Sequence, residues 1–255
     1  MLAAAGIAAA QSSPIAASEP ATPLAQLTTF ASLSQLFANR VAQPDIPPAL
    51  PAGFISPLSE PAAIEALQLH LAWTGLTGLS TSGTWDDGTT AAVKRFQWKY
   101  KLKATGISDD TTTETLRTVA RDGQLDPQCL TPGIVICVDK TQKVTRYVKD
   151  GQTIKVMDSN YGPEKGNPHF PEWSSTREGV FKIFFKNKNA VSSLYGFTMP
   201  DYMAFDGGEG FHFSGWFRES GYKDVTQGCI VTNDRAASRW LYDNTPKNTK
   251  VVVYH

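Results

Sequence analysis

The chain lacks a surplus of charge of either sign: 24 Lys and Arg stand against 24 Asp and Glu, for a net charge of +0. No Lys/Arg run breaks that balance, so the electrostatic footprint of a nucleic-acid binder is absent and that class of function is excluded. It also lacks a long apolar run. The N-terminal "MLAAAGIAAAQSSPIAASEPATPLAQ" is alanine-rich but falls far short of the roughly 20 apolar residues a membrane span needs. It has the apolar run and small-residue end of a secretory signal, without a Lys or Arg ahead of them. Two readings stand, a truncated or mis-started signal peptide and a disordered Ala/Pro-rich leader. Cysteine and histidine are scarce, at 3 and 4 of 255 residues, and too scattered for metal-ligand spacing, so neither metal nor cofactor is expected.

What remains suits a globular protein with a sizeable core, 41% hydrophobic and 19% charged. The low charge fraction and the many Thr, Ser and Ala residues favour an extracytoplasmic protein over a cytosolic one. The odd cysteine count is informative. Cys129 and Cys137 lie eight apart (137 − 129) around the Pro132-Gly133 turn, and Cys229 stands alone. In an oxidising compartment the first pair can close a small loop and leave Cys229 as a free thiol; the alternative is three buried free cysteines in a cytosolic protein.

Composition divides the chain into three. Residues 1–53 are rich in Ala, Ser and Pro and read as signal-like leader and disordered linker, with one short helical face at Leu33, Leu36 and Phe37. Residues 54–122 carry short amphipathic helices. Ile64, Leu67 and Leu71 recur behind Pro61, Val93, Phe96 and Tyr100 behind an Asp/Thr cap, and Leu116 and Val119 share a third face. This segment repeats itself: "LQ" at 67–68 and "FQ" at 96–97 lie 29 apart (97 − 68), followed by "GTWDDGTT" and "GISDDTTT". The third part, 130–255, turns to strands: "GIVICVD", a hairpin through Asp150-Gly151, "GVFKIFF", "YMAF", "GFHF" and "KVVVY". Its best helix, "NDRAASRWLYDN", is capped by Asn233 or Asp234 and ends before Pro246. The expected fold class is α+β in two domains, a three-helix module followed by a mostly β sandwich. A monomer is expected.

The helical segment resembles the common peptidoglycan-binding module, through its "LQ…L…G" helix, "SGTWDDGTTAAVKRFQ" and "TGISDDTTTETL". The resemblance implies glycan as a partner. Trp73, Trp85 and Trp98 are candidates to face it, or equally to pack a core too small to do without them.

The chemistry turns on "TQGCIV", Thr226–Val231. A thiol is a poor nucleophile at its ordinary pKa of about 8.5 and needs a base or cation nearby. Of the four histidines, His70 lies in the helical module, His169 in a proline-flanked loop and His255 at the end; His212 lies in a short apolar strand 17 residues before Cys229 (229 − 212). Gly228 can take backbone angles that aim Cys229 and nearby N–H groups at one point, as an oxyanion hole requires. The intervening "SGWFRESGYKDVTQG" has the Gly, aromatic and charged mixture of a substrate-lining loop, and Met199, Tyr202, Trp216 and Tyr222 are candidate cleft residues.

From His212 to Ile230 the chain resembles the L,D-transpeptidase (YkuD-like) motif: a histidine, an intervening loop, then Ser/Thr-His-Gly-Cys-hydrophobic-Asn/Arg. His212, Thr226, Gly228, Cys229 and Ile230 match; "STREGVFKI" and "MPDYMAF" resemble flanking segments of the same domain. Gln227 stands where the motif has histidine, and Val231 where Asn or Arg is usual. Gln227 can exchange hydrogen bonds but cannot carry charge near neutral pH. The resemblance implies Cys229 as nucleophile and His212 as its base, oriented by a backbone carbonyl around Phe213, with Gly228, Gln227 and Thr226 as motif support. It implies attack on the diamino acid–D-Ala bond of a peptidoglycan stem tetrapeptide and a cross-link between third-position residues. An L,D-carboxypeptidase, with water replacing the amine, is an open alternative; so is a non-catalytic peptidoglycan-binding protein.

Overall fold

The computed structural model describes residues 47–122, 125–163 and 175–255. Residues 1–46 of the leader and linker, with the Leu33–Leu36–Phe37 helical face, and His169 lie outside the described residues; at the end of the expected disordered linker, Leu50 is instead buried in the core of the helical unit.

Three helices, α1 (Pro61–Trp73), α2 (Asp87–Lys99) and α3 (Asp110–Asp122), form the first unit. They close over Leu67, Leu71, Val93, Phe96 and Leu116, all fully buried. The repeat visible in the sequence has a physical meaning. Each repeat places a buried glutamine behind its helix's apolar face, and that glutamine ties the helix to the glycine turn and cap that follow. The Gln68 amide donates to Thr84 O and Thr89 Oγ1 while its carbonyl accepts from Gly83 N. Gln97 donates to Ile107 O and Thr112 Oγ1 and accepts from Gly106 N. Asp86 and Asp109 then cap the next helix through the same N–H three residues on, at 2.6 and 2.8 Å.

The second unit has two sheets. The first holds β1 (Ile134–Asp139), β2 (Val144–Lys149), β3 (Gln152–Asp158), β4 (Gly179–Lys182) and β9 (Lys250–Tyr254) in the order β3-β2-β1-β9-β4; the second holds β5 (Phe185–Val191), β6 (Thr198–Asp206), β7 (Glu209–Phe213) and β8 (Ile230–Thr232) in that order. The β2–β3 turn sits at Asp150-Gly151, both at positive φ, as the Asp-Gly pair requires. Residues of both sheets meet in one core that includes Ile136, Val138, Met203, Phe205, Phe211, Ile230, Val251 and Val253, closed by Leu241 of a C-terminal helix, α5 (Arg235–Asn244). Asp234 caps α5 through the N–H groups of Ala236 and Ala237. A short helix, α4 (Gly215–Ser220), stands in the loop ahead of Cys229, where the sequence pattern showed none. Cys129 and Cys137 are joined by a disulfide, Cα atoms 6.1 Å apart.

"GVFKIFF", expected as one strand, is two. Ile183 N still bonds Thr249 O beside β9, whereas Phe184 N bonds Ala204 O of β6. The chain crosses from one sheet to the other between those residues, leaving Ile183 in the core and Phe184 and Phe185 exposed. Strict alternation would put Phe185 on the face of Ile183; the crossing breaks that alternation, so Phe184 and Phe185 are both exposed.

The three tryptophans offered for glycan are occupied elsewhere. The Trp73 ring lies 4.7 Å from the guanidinium of Arg146, a fully buried β2 side chain. Trp85 donates to Thr90 Oγ1 and packs on the helical core. Trp98 lies against Gly221, where an added Cβ would sit 2.4 Å from the ring. Two of the three thus join the two units, Trp73 as an aromatic face on a buried cation and Trp98 as a ring against a glycine backbone.

Candidate active site

The four-stranded sheet carries the site on the face opposite the sandwich core. In register, Phe211 pairs with both Met203 and Ile230, and these three belong to the core. Side chains alternate along a strand, so His212, the neighbour of Phe211, turns to the other face; Cys229, just ahead of β8, packs against Tyr202 and Ala204, the neighbours of core residue Met203 on that face. Cys229 and Met199 both pack against the cluster of Ala190, Tyr202 and Ala204. The two residues singled out from the sequence therefore share one surface.

His212 is buried, and its Nδ1 lies 2.8 Å from Phe213 O. A carbonyl only accepts, so Nδ1 carries the proton and Nε2 is the basic nitrogen. Burial lowers the imidazole to about 4, opposed by the Phe213 bond. The rings of Phe197 and Tyr202 stand 6.4 and 6.5 Å from it. Cys229 is a free, half-buried thiol with Sγ 3.8 Å from Gly208 O. Burial pushes the thiol up to about 11; a bond from the Gly210 backbone opposes this, and the charge of Glu209 adds to it.

The loop that presents Cys229 is bound at each polar group named here. Gly228 has φ +107°, a conformation costly for any residue with a Cβ. Thr226 Oγ1 accepts from Gly228 N at 3.2 Å and donates to Cys229 O. Thr176 Oγ1 donates to Gly228 O at 2.7 Å and accepts from Gly162 N. Thr226 N donates to Tyr161 O, and Asn160 Nδ2 to Asp224 O, while Asn160 and Val231 exchange backbone bonds. The Gly228 N–H, expected near an oxyanion, is thus directed at a side chain of its own loop.

Of the proposed cleft residues, Tyr202 belongs to the cluster that Cys229 packs against and Met199 packs on the same cluster; the Tyr202 hydroxyl donates to Gly208 O. Trp216, on α4, is 65% exposed and donates through Nε1 to Asp224. Tyr222 is turned away: its ring packs on Phe217 at 5.1 Å and its hydroxyl donates to Asp158. Gln227 is half-buried, and Val231 is buried in β8. Phe213 contributes its carbonyl, with its ring between the guanidiniums of Arg218 and Arg235.

Sequence reasoning missed three neighbours. Thr176 had a signal, since it opens the "TREGVF" segment already noted. Asn160 and Glu209 had none. Glu209, 8% exposed, accepts from Arg177 N at 3.4 Å, and burial raises its carboxyl to about 7. Among the described residues no group of three or more His, Cys, Asp or Glu is arranged to hold a metal ion.

Comparison with known proteins agrees with this architecture. Residues 133–253 match the L,D-transpeptidase catalytic domain, and residues 60–116 match a peptidoglycan binding domain. No curated protein matches the chain. Among solved structures, an L,D-transpeptidase from Xylanimonas cellulosilytica is 22% identical, with a TM-score of 0.50, over 81% of this chain and 98% of that one. One from Stackebrandtia nassauensis is 21% identical, with a TM-score of 0.51, over 81% of this chain and 95% of that one. At such identities the likeness is one of fold. In chain order, a segment that matches a peptidoglycan binding domain is thus followed by one that matches the L,D-transpeptidase catalytic domain.

Proposed function

We propose that the protein is a cysteine-dependent peptidoglycan L,D-transpeptidase, with Cys229 as nucleophile and His212 as base. The observation that carries this reading is the shared sheet face of the two side chains, with His212 Nδ1 tied to Phe213 O so that Nε2 is left basic.

Both groups rest neutral at pH 7. With the thiol at about 11 and the imidazole at about 4, moving the proton between them costs on the order of 10 kcal/mol at 1.36 kcal/mol per decade. Attraction within the resulting ion pair offsets only part of that cost. His212 therefore takes the proton as sulfur attacks, rather than maintaining a resting thiolate. Sulfur adds to the carbonyl of the third-position diamino acid of a stem tetrapeptide. The Cys229 N–H meets the developing oxyanion, since Gly228 N–H is engaged by Thr226. The tetrahedral adduct collapses, His212 returns the proton to the leaving D-Ala amine, and a thioester remains. The side-chain amine of a neighbouring stem attacks the thioester, loses a proton to His212 and restores the thiol, leaving a cross-link between third-position residues. Gln227, in place of a histidine, contributes no charge to these steps.

The reading assigns 54–122 to wall binding and 130–255 to catalysis, outside the cytoplasm. The Cys129–Cys137 disulfide fits an oxidising compartment, and no helix among the described residues is long and apolar enough to cross a membrane. Incubation with disaccharide-tetrapeptide, followed by mass spectrometry, tests it. Cross-linked dimer and free D-Ala are expected from the native chain and neither from Cys229→Ala. Tripeptide alone would make the enzyme a carboxypeptidase, and turnover by Cys229→Ala would overturn the nucleophile assignment.

A further inference from the structure

Asp158, the last residue of β3, accepts four hydrogen bonds, two from each unit of the chain. Its Oδ1 accepts from Lys99 Nζ of α2 at 2.9 Å and from the Tyr222 hydroxyl. Its Oδ2 accepts from Arg95 Nε of α2 at 3.2 Å and from Asn233 Nδ2 at 3.1 Å. The catalytic-side donors bracket the thiol: Tyr222 lies seven residues before Cys229 (229 − 222) and Asn233 four after it (233 − 229). Between them is a β8 of only three residues.

The cation is fully committed. Lys99 is 0% exposed, and its three N–H groups reach Thr74 O at 2.9 Å, Lys143 O at 3.0 Å and Asp158. A buried ammonium is tolerated only with its donors satisfied and a counter-charge present. Even so, burial lowers it to about 8, opposed by Asp158. Two close approaches reinforce the joint. Gly221 sits on the Trp98 ring, and Gly75 sits on the backbone of Asp158, where an added Cβ would be 2.7 Å from Asp158 N. Neither position has room for a side chain.

We propose that Asp158 is a positioning residue through which the peptidoglycan-binding module holds the Cys229 loop, so that the module is part of the catalytic apparatus as well as an anchor. This rests on the reading of Cys229 as nucleophile. Lys99 and Arg95 fix the carboxylate from the module side; Tyr222 and Asn233 read its position into the segments on either side of the thiol. A small misplacement there lowers the rate of attack while leaving stem-peptide contacts intact. Tyr222 and Lys99, assigned to no chemistry otherwise, thereby acquire a role.

The test uses the full chain and two readouts: kcat and KM with disaccharide-tetrapeptide, and the rate of Cys229 alkylation by iodoacetamide, each on protein shown to be folded by thermal melting. Tyr222→Phe keeps the ring and removes only the hydroxyl; it should lower kcat about tenfold with KM within about twofold. Lys99→Met should do the same from the module side, and the double variant should be no slower than the slower single, since both act through one carboxylate. Alkylation rates should shift with kcat. If Lys99→Met does not fold, Arg95→Gln, on the half-exposed side of the same carboxylate, should lower kcat by about twofold to threefold. Unchanged kcat and alkylation in folded Lys99→Met or Arg95→Gln would overturn the proposal, as would effects that multiply in the double variant. Turnover by Cys229→Ala would instead overturn the nucleophile reading, and alkylation would still report the coupling.

Discussion

Glu209 offers a quantitative test of the electrostatics around the thiol. It is 8% exposed, and burial raises its carboxyl from 4.5 to about 7, with Asp206 adding to the rise and Arg177 and Lys140 opposing it. Between pH 4.5 and 7 the folded chain holds a proton that the unfolded chain has released, so stability falls as pH rises through that window. The full cost, about 2.5 decades at 1.36 kcal/mol each, is about 3 kcal/mol. Glutamine keeps the shape and cannot ionise. Glu209→Gln should therefore gain about 1–3 kcal/mol on the native chain between pH 4.5 and 8, measured by urea denaturation across that range. Because the Glu209 charge also raises the Cys229 thiol, the variant should alkylate faster than the native protein above pH 7 and equally below pH 5. A stability difference that stays constant with pH would refute the assignment of a protonated buried carboxyl beside the site.

Thr226→Val keeps the branched shape but removes the hydroxyl that links Gly228 N to Cys229 O; kcat should fall about tenfold with about 1–2 kcal/mol of stability lost, read by steady-state kinetics and thermal melting. Gln97→Leu should destabilise the chain by about 2–4 kcal/mol, because Gly106 N and Ile107 O lose their buried partner, and Gln68→Leu should match it within about 1 kcal/mol. A large loss for one and none for the other would show that the two repeats are not equivalent joints.

Much of the architecture is written locally. Helical spacing at Ile64, Leu67 and Leu71, the Asp86 and Asp109 caps, and the Asp150-Gly151 turn involve residues within one or two turns of each other. Their geometry follows from neighbours in the chain. The 29-residue repeat is equally legible, and the structure adds its cause, a buried glutamine serving each turn. Cys229 and His212 stood out as candidates by residue type and by the motif they resemble, and Gly228 by the backbone conformation a presented cysteine needs.

What the chain order could not report is which distant segments meet. The crossing between sheets at Ile183 and Phe184 depends on which strand offers the next free hydrogen-bonding edge. Trp73 and Trp98 look like glycan platforms until the Arg146 side chain and Gly221 are seen beside them. Tyr222 reads as a cleft aromatic, yet its hydroxyl is drawn to Asp158 because that carboxylate is buried with two cations from the other unit and needs every donor. The sequence alone marked two units and nominated Cys229 and His212 as thiol and base. Tertiary structure decided how the units join and what holds the thiol in place, since burial and charge pairing are properties of positions brought together only by folding.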